Sequence, residues 1–177
     1  MKKKHIFLLL DTSGSMNLEQ IGIVNDMFRE IYNELNNMYQ EQLISVDTVL
    51  FSDEAKHLEE FQYLENGQLT WFDLHQEHFK GKTSLGKAYQ LVHQILRLYD
   101  YKINDVVLVL ITDGLPTDNF VVSLERLDQK RQSKRLTYVL GDKAKSIIQA
   151  HVAFDVSAIY KNPHTLIEAL KDVIHNG

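Results

Sequence analysis

Apolar and polar positions along this chain alternate between two patterns. Short runs rich in apolar and β-branched residues, which suit strands, fall at residues 5–10, 43–51, 106–111, 136–140 and 154–159, the run 106–111 being apolar throughout. Between them lie longer stretches in which apolar residues recur three and four apart, the mark of a helix with one buried face. The first opens at Asn17-x-x-Gln20, a reciprocal polar pair of the capping-box kind, and carries Ile21, Val24, Phe28, Ile31, Leu35 and Met38 towards an end near Tyr39. A second helix is expected over 84–99, with Leu85, Ala88, Val92, Ile95 and Tyr99 on one face. A third is expected over 120–134 and a short one over 143–150. Asn162-Pro163 then supplies a cap and a proline at the first helical position of a last helix, which faces inward through Leu166, Ile167, Leu170, Val173 and Ile174.

One part of the chain breaks the alternation. Ser52-Asp53-Glu54 reads as a tight turn after the second strand, and residues 57–64 as a strand returning antiparallel at the sheet edge. Residues 65–82 carry Trp71, Phe72, His75, His78 and Phe79 without a clear period, and are expected to form an irregular connection. Strands alternating with helices elsewhere give an α/β fold. It is doubly wound, with a mostly parallel central sheet, one antiparallel edge strand and helices on both faces. We expect one domain over residues 1–177.

Composition narrows the class of function. The chain has 177 residues, enough for a sizeable core. Lys and Arg number 19 against 24 Asp and Glu, a net charge of −5 that argues against binding nucleic acid through phosphate neutralisation. The local clusters Lys2-Lys3-Lys4 and Lys130-Arg131 with Lys134-Arg135 read as a strand lead-in and a solvated helix end. There is no cysteine, so neither disulfides nor a thiolate metal site can hold the fold. The apolar run after Lys4 stops at Asp11, too short for a signal peptide, and no stretch approaches the ~20 apolar residues of a membrane span. The expectation is a soluble, cytoplasmic protein.

The candidate chemistry sits where the first strand ends, at Asp11-Thr12-Ser13-Gly14-Ser15. Alternate residues of an extended backbone point the same way, so Asp11, Ser13 and Ser15 can converge. Hard oxygen donors of this kind suit Mg²⁺, with Mn²⁺ or Ca²⁺ as alternatives, better than Zn²⁺. In an open α/β sheet, partners for such a turn come from the ends of neighbouring strands. Asp113 follows the apolar run 106–111, and Thr83 lies in the small-residue turn Gly81-Lys82-Thr83-Ser84 before a helix.

Three ordered pieces now stand together: Asp-x-Ser-Gly-Ser, Gly-x-Thr-x-Leu-Gly-x-Ala, and Thr-Asp-Gly. Across essentially the whole chain this resembles the von Willebrand factor type A domain with its metal-ion-dependent adhesion site. The resemblance implies a non-enzymatic module that binds protein partners. Ser13, Ser15 and Thr83 would bind Mg²⁺ through hydroxyls, and Asp11 and Asp113 would complete the shell directly or through water. One position would stay open for an Asp or Glu of the partner. Lys82 departs from the pattern, standing where many members have a second glycine; a solvent-facing side chain is the expected outcome. More narrowly, residues 7–16, Ile23-Val24-Asn25 and Thr112-Asp113-Gly114-Leu115-Pro116-Thr117-Asp118 resemble bacterial TerY-type domains associated with tellurite resistance. That implies a signalling role beside a protein kinase and a PP2C-type phosphatase. Some such members carry a cysteine-rich extension, and with no cysteine among these 177 residues its role is not carried over.

Plainer readings compete at each position. Asp11, Ser13 and Ser15 alone could simply cap a strand–helix turn. Asp118 and Asp142 are better read as caps than as site acids. His75 and His78 lack a third ligand for Zn²⁺ and are expected to be ordinary partly buried residues. Trp71, Phe72 and Phe79 are expected to pack over the sheet edge. The enzyme alternative is a Mg²⁺-dependent phosphotransferase with Asp11 as nucleophile, but the Asp-x-Asp such chemistry uses has Ser13 at its second acid, leaving no general acid. Gly81-Lys82-Thr83 ends like a phosphate-binding loop, yet Gln76 stands where its first glycine belongs. Ser13 and Ser15 also lie outside any Gly-x-Ser-x-Gly nucleophile elbow.

Overall fold

The computed structural model describes residues 4–40, 44–58, 73–77, 79–99, 105–127, 133–141, 159–160 and 162–176. In chain order these form β1 (Lys4–Asp11), α1 (Leu18–Gln40), β2 (Ile44–Phe51), β3 (Ala55–His57), a single 3₁₀ turn (Leu74–Gln76), α2 (Leu85–Leu98), β4 (Val106–Thr112), α3 (Phe120–Leu127), β5 (Lys134–Val139), β6 (Ile159–Tyr160) and α4 (Pro163–Asn176).

Among the described residues, six strands make one sheet in the order β3-β2-β1-β4-β5-β6. All neighbours are parallel except β2 and β3, the antiparallel pair at one edge. The chain winds outward from β1 in one direction and from β4 in the other. The switch point, where an open α/β sheet places its ligands, therefore lies between the ends of β1 and β4.

Alternation along β1 divides the core. Ile6, Leu8 and Leu10 join Val24, Phe28, Ile31 and Leu35 of α1 and Leu166 and Leu170 of α4 on one face. Phe7 and Leu9 join Leu85, Ala88, Tyr89 and Val92 of α2 and Leu124 and Leu127 of α3 on the other. Helices thus cover both faces, which is why β1 and β4 are apolar without interruption.

The helix starts follow the sequence closely. Asn17 N donates to Gln20 Oε1 at 3.0 Å and Gln20 N donates to Asn17 Oδ1 at 2.8 Å, a complete capping box. At α4, His164 N donates to Asn162 Oδ1 at 2.9 Å. Asn17→Ala should therefore cost about 1 kcal/mol, read as a lower urea midpoint with an unchanged slope.

Two boundaries differ from expectation. The returning strand begins at Ala55, because Phe51 pairs directly with Ala55 and only Ser52–Glu54 turn the chain. Leu58 N still donates to Thr48 O at 3.0 Å, and residues 59–64 lie outside the described set. Lys134, expected at the end of a helix, instead opens β5. Val107 pairs with Lys134 and Leu108 with Arg135, so the backbone groups of β4 recruit the chain into the sheet two residues before Leu136. The expected helix 143–150, most of the expected strand 154–159, and Trp71, Phe72, His78 and Asp142 fall outside the described residues.

Candidate metal centre

Parallel register sets the first contact of the site. Leu10 pairs with Ile111, which brings Asp11 beside Thr112 at the C-terminal end of the two central strands. The Thr112 hydroxyl donates to Asp11 Oδ2, while Ser13 N donates to Asp11 Oδ1 at 2.9 Å. Both carboxylate oxygens of Asp11 are thus committed to holding the turn, and the residue is 1% exposed. Burial pushes the Asp11 carboxyl above its ordinary range, the Thr112 and Ser13 donors pull it partly back, and the charge of Asp113 adds to the rise.

In front of Asp11, three loops bring their side chains to one point. Ser13 Oγ lies 3.0 Å from Ser15 Oγ, Thr83 Oγ1 donates to Ser13 Oγ at 3.2 Å, and Ser15 Oγ donates to Asp113 Oδ1 at 2.7 Å. Ser15 is 98 residues from Asp113 and Thr83 is 70 from Ser13, so only the fold makes this cluster. Every residue predicted for the site is in it. Ser13, Thr83 and Asp113 are buried, whereas Ser15 stands at the mouth.

The donor set fits a hard divalent cation. Cis ligands of an octahedral ion bound at about 2.1 Å lie about 3.0 Å apart, close to the observed oxygen separations. The cluster is made of oxygen alone, with no thiol or imidazole in it, and two buried carboxylates share it. A cation there would offset the mutual repulsion and the burial cost of both.

The loop carrying Thr83 is fixed by residues the sequence reading left unassigned. Asp53 Oδ1 accepts from Lys82 N at 2.9 Å, and Gly81 adopts a left-handed φ of 78° against that carboxylate. A Cβ at Gly81 would lie 2.2 Å from Asp53 Oδ2, so glycine is required there. Lys82 itself is exposed, as expected. Gly114 leaves room at the site: a Cβ there would lie 3.3 Å from Thr83 Oγ1.

Asp118 is a cap, as read from sequence, but of a distant helix. Ser84 makes no side-chain capping bond at the start of α2. Asp118 Oδ1 instead accepts from Gly86 N at 3.0 Å and its Oδ2 from Lys87 N at 3.3 Å. Next to it, Thr117 N donates to Thr83 O at 2.8 Å. The loop after β4 therefore positions Thr83 as well as Asp113. Asp118→Ala should lower stability by about 1–2 kcal/mol in urea melts. It should also weaken Mn²⁺ binding several-fold in the folded protein, because Thr83 loses its brace.

His75, expected to be partly buried, is exposed, because it sits on the outer side of the 3₁₀ turn, and His78 lies outside the described residues. His75 packs near Asn25, with their Nδ1 and Nδ2 atoms 3.1 Å apart, and meets Asp73 at 2.9 Å; Leu74 N donates to Asn25 Oδ1 at 2.8 Å. These contacts pin the 3₁₀ turn to α1. Phe79 is half-buried against the α1-side core. Among the described residues, no group of three or more His, Cys, Asp or Glu is placed to hold a metal, so the cluster depends on its hydroxyls. Nor is any described helix long and apolar enough to cross a membrane.

Comparison with known proteins agrees with this architecture. Among solved structures, a pilus adhesin, SpaC, from Lactobacillus rhamnosus GG superposes with a TM-score of 0.74 at 13% identity, covering 99% of this chain and 31% of that one. Conserved hypothetical protein BatB from Bacteroides thetaiotaomicron gives 0.66 at 15%, covering 97% of each chain. Proximal thread matrix protein 1 from the mussel byssus, with a zinc-occupied MIDAS motif, gives 0.66 at 18%, covering 97% of this chain and 47% of that one. The chain spans 42% of a von Willebrand factor type A protein from Catenulispora acidiphila, which it matches at 13% identity and a TM-score of 0.63. No curated protein matches. At these identities the structures speak to fold alone, but the sequence model of the von Willebrand factor type A domain matches residues 5–171. The chain belongs to the von Willebrand factor type A domain family.

Proposed function

We propose that this domain is a non-enzymatic, cation-dependent protein-binding module. Ser13, Ser15 and Thr83 would hold Mg²⁺ through their hydroxyls, with Asp113 beside them and Asp11 behind, where it fixes the turn. The observation that carries this reading is the oxygen cluster drawn from three loops, with separations of 2.7, 3.0 and 3.2 Å. Bound there, the cation would supply Lewis acidity for a partner Asp or Glu carboxylate. The chain's own contribution is rigidity. Its strand-end loops are tied to one another by Gly14 N donating to Gly81 O at 3.0 Å and Lys80 N donating to Thr12 O at 3.1 Å. The zinc-occupied motif of the mussel protein supports cation binding at such a site in this family. The all-oxygen donor set favours Mg²⁺ or Mn²⁺ here.

The motif likeness to TerY-type domains supports a cytoplasmic signalling role in a bacterial stress or tellurite-resistance system, with a protein kinase and a PP2C-type phosphatase as partners. Affinity capture of those two purified proteins in Mg²⁺ and in EDTA tests this. Retention in Mg²⁺ alone, lost in Thr83→Ala, is expected; equal retention in EDTA would overturn the cation-dependent reading.

The phosphotransferase alternative is disfavoured by one observation. Asp11 is buried, and each of its oxygens accepts a hydrogen bond that holds the turn, so the carboxylate braces the loop rather than standing exposed to a substrate. Turnover of p-nitrophenyl phosphate in Mg²⁺ that disappears in Asp11→Asn would reverse this conclusion.

A further inference from the structure

Past Leu10 and Ile111, the last paired residues of β1 and β4, the two strands part towards the loops that carry Ser13 with Ser15 and Asp113. Behind the oxygen cluster, the Thr112 side chain bridges this gap. The residue is 2% exposed, and its hydroxyl has one proton and two lone pairs to place. The proton goes to Asp11 Oδ2, a charge-assisted bond, and a lone pair accepts from Gly114 N at 3.2 Å. One oxygen atom thus holds both the carboxylate that opens the first loop and the backbone just past Asp113.

Thr112 is itself a fixed anchor. Its carbonyl accepts from Leu140 N at 2.9 Å, so the end of β5 holds its backbone. Asp11 is held at its other oxygen by Ser13 N at 2.9 Å. The loop after Asp113 continues to Thr117, whose N donates to Thr83 O at 2.8 Å. Spacing set at Thr112 therefore passes to all three loops.

That spacing bears on which cation fits. Cis oxygens around Mg²⁺ lie about 3.0 Å apart, whereas Ca²⁺, bound at about 2.4 Å, needs about 3.4 Å and accepts a looser shell. The oxygens of the cluster stand 2.7, 3.0 and 3.2 Å apart. To take Ca²⁺ the loops would have to separate, and the link from Asp11 through Thr112 to Gly114 resists that separation.

We propose that Thr112 is a positioning residue that makes the site selective for Mg²⁺ over Ca²⁺. It acts through Asp11 and the Asp113–Gly114 turn, not by touching the cation. This rests on the metal-site reading and adds to it the feature that sets the choice of cation. Losing such a support is expected to cost about tenfold to a hundredfold in Mg²⁺ affinity. Ca²⁺, with longer bonds and a flexible shell, should lose little.

The test is calorimetric titration of the whole chain with Mg²⁺ and, separately, with Ca²⁺, in wild type, Thr112→Val and Thr112→Ser. Urea midpoints are read alongside. Valine keeps the branched shape and removes the hydroxyl; serine keeps the hydroxyl and removes the methyl. Wild type should bind Mg²⁺ more tightly than Ca²⁺. That preference should shrink by about tenfold or more in Thr112→Val and stay within about twofold in Thr112→Ser. A residue that only supported the fold would lower the urea midpoint of Thr112→Val and leave both affinities of the folded protein unchanged. That result, or an equal loss of Mg²⁺ and Ca²⁺ binding, would overturn the proposal while the metal reading stands. So would a wild type that binds the two cations equally. Thr112→Cys, whose thiol is a weaker donor, carries the test should Thr112→Val not fold. A reduced Mg²⁺ preference there supports the proposal, and an unchanged one overturns it. If wild type binds neither cation, the metal reading fails and this proposal fails with it.

Discussion

Asp113→Ala is expected to lower Mg²⁺ and Mn²⁺ affinity by roughly a hundredfold or more in calorimetric titration. Asp113 is the carboxylate that meets the hydroxyl cluster directly, through Ser15 at 2.7 Å, and it is 1% exposed. Removing it takes away half the negative charge of the site and the acceptor that orients Ser15. Ser13→Ala and Thr83→Ala should each cost about tenfold to a hundredfold, because each removes a neutral oxygen and leaves both charges in place. Asp113→Asn should fall between, since it keeps an acceptor for Ser15 but loses the charge. Equal titration curves for wild type, Ser13→Ala and Asp113→Ala would mean that these residues are only turn caps.

The largest effect on stability is expected at Phe28→Ala, about 3–5 kcal/mol, against a total of 5–15 kcal/mol for a typical domain. Phe28 is fully buried on α1, and its ring meets Tyr32 edge-on, with centroids 4.5 Å apart and planes at 74°. Its removal opens a cavity beneath the sheet and forfeits that ring contact, which is worth about 0.5–1.5 kcal/mol of the total. Neighbours have little room to collapse into the gap. Tyr32 is held in place by its hydroxyl, 2.6 Å from Thr48 Oγ1, and Ile31 and Leu35 are already fully buried. The urea midpoint should fall with the slope unchanged, and Mn²⁺ affinity of the folded protein should be unaltered, because Phe28 lies outside the strand-end loops. A fall in cation affinity as large as that of Thr83→Ala would show that core and site are not separable in this way.

How much of this was legible in the sequence depended on whether the signal was local. The capping box at Asn17, the strands β1 and β4 and the helix opened by Asn162-Pro163 rest on residues within a few positions of one another, and they are found where expected. The start of β5 was missed because Lys134 and Arg135 are polar; their place in the sheet is set by the backbone of β4, which leaves no mark on side-chain pattern. The hairpin start at Ala55 was missed for the same reason.

At the site, Asp11, Ser13, Ser15, Thr83 and Asp113 were chosen from motif spacing, and the fold brings all five together. The supports were harder to see. Thr112 could have been found by aligning the last apolar residues of two strands, Leu10 and Ile111, which sets Asp11 beside it. Asp53 could not have been found, because its role depends on the left-handed turn at Gly81, 28 residues further along the chain. Asp118 was read as a cap, but the helix it caps, α2, begins 33 residues earlier, a pairing that only tertiary structure creates.

The central claim is that a divalent cation binds at the meeting of these three loops. Substoichiometric Mn²⁺ added to ¹⁵N-labelled protein tests it most directly, since paramagnetic broadening reports location as well as binding. The account predicts that the amides of Ser13, Gly14, Thr83 and Gly114 broaden first in the wild type, and do not in Asp113→Ala. Broadening that centres instead on surface carboxylates such as Glu34 and Glu168 beside Lys171, or that is the same in Asp113→Ala, would contradict it.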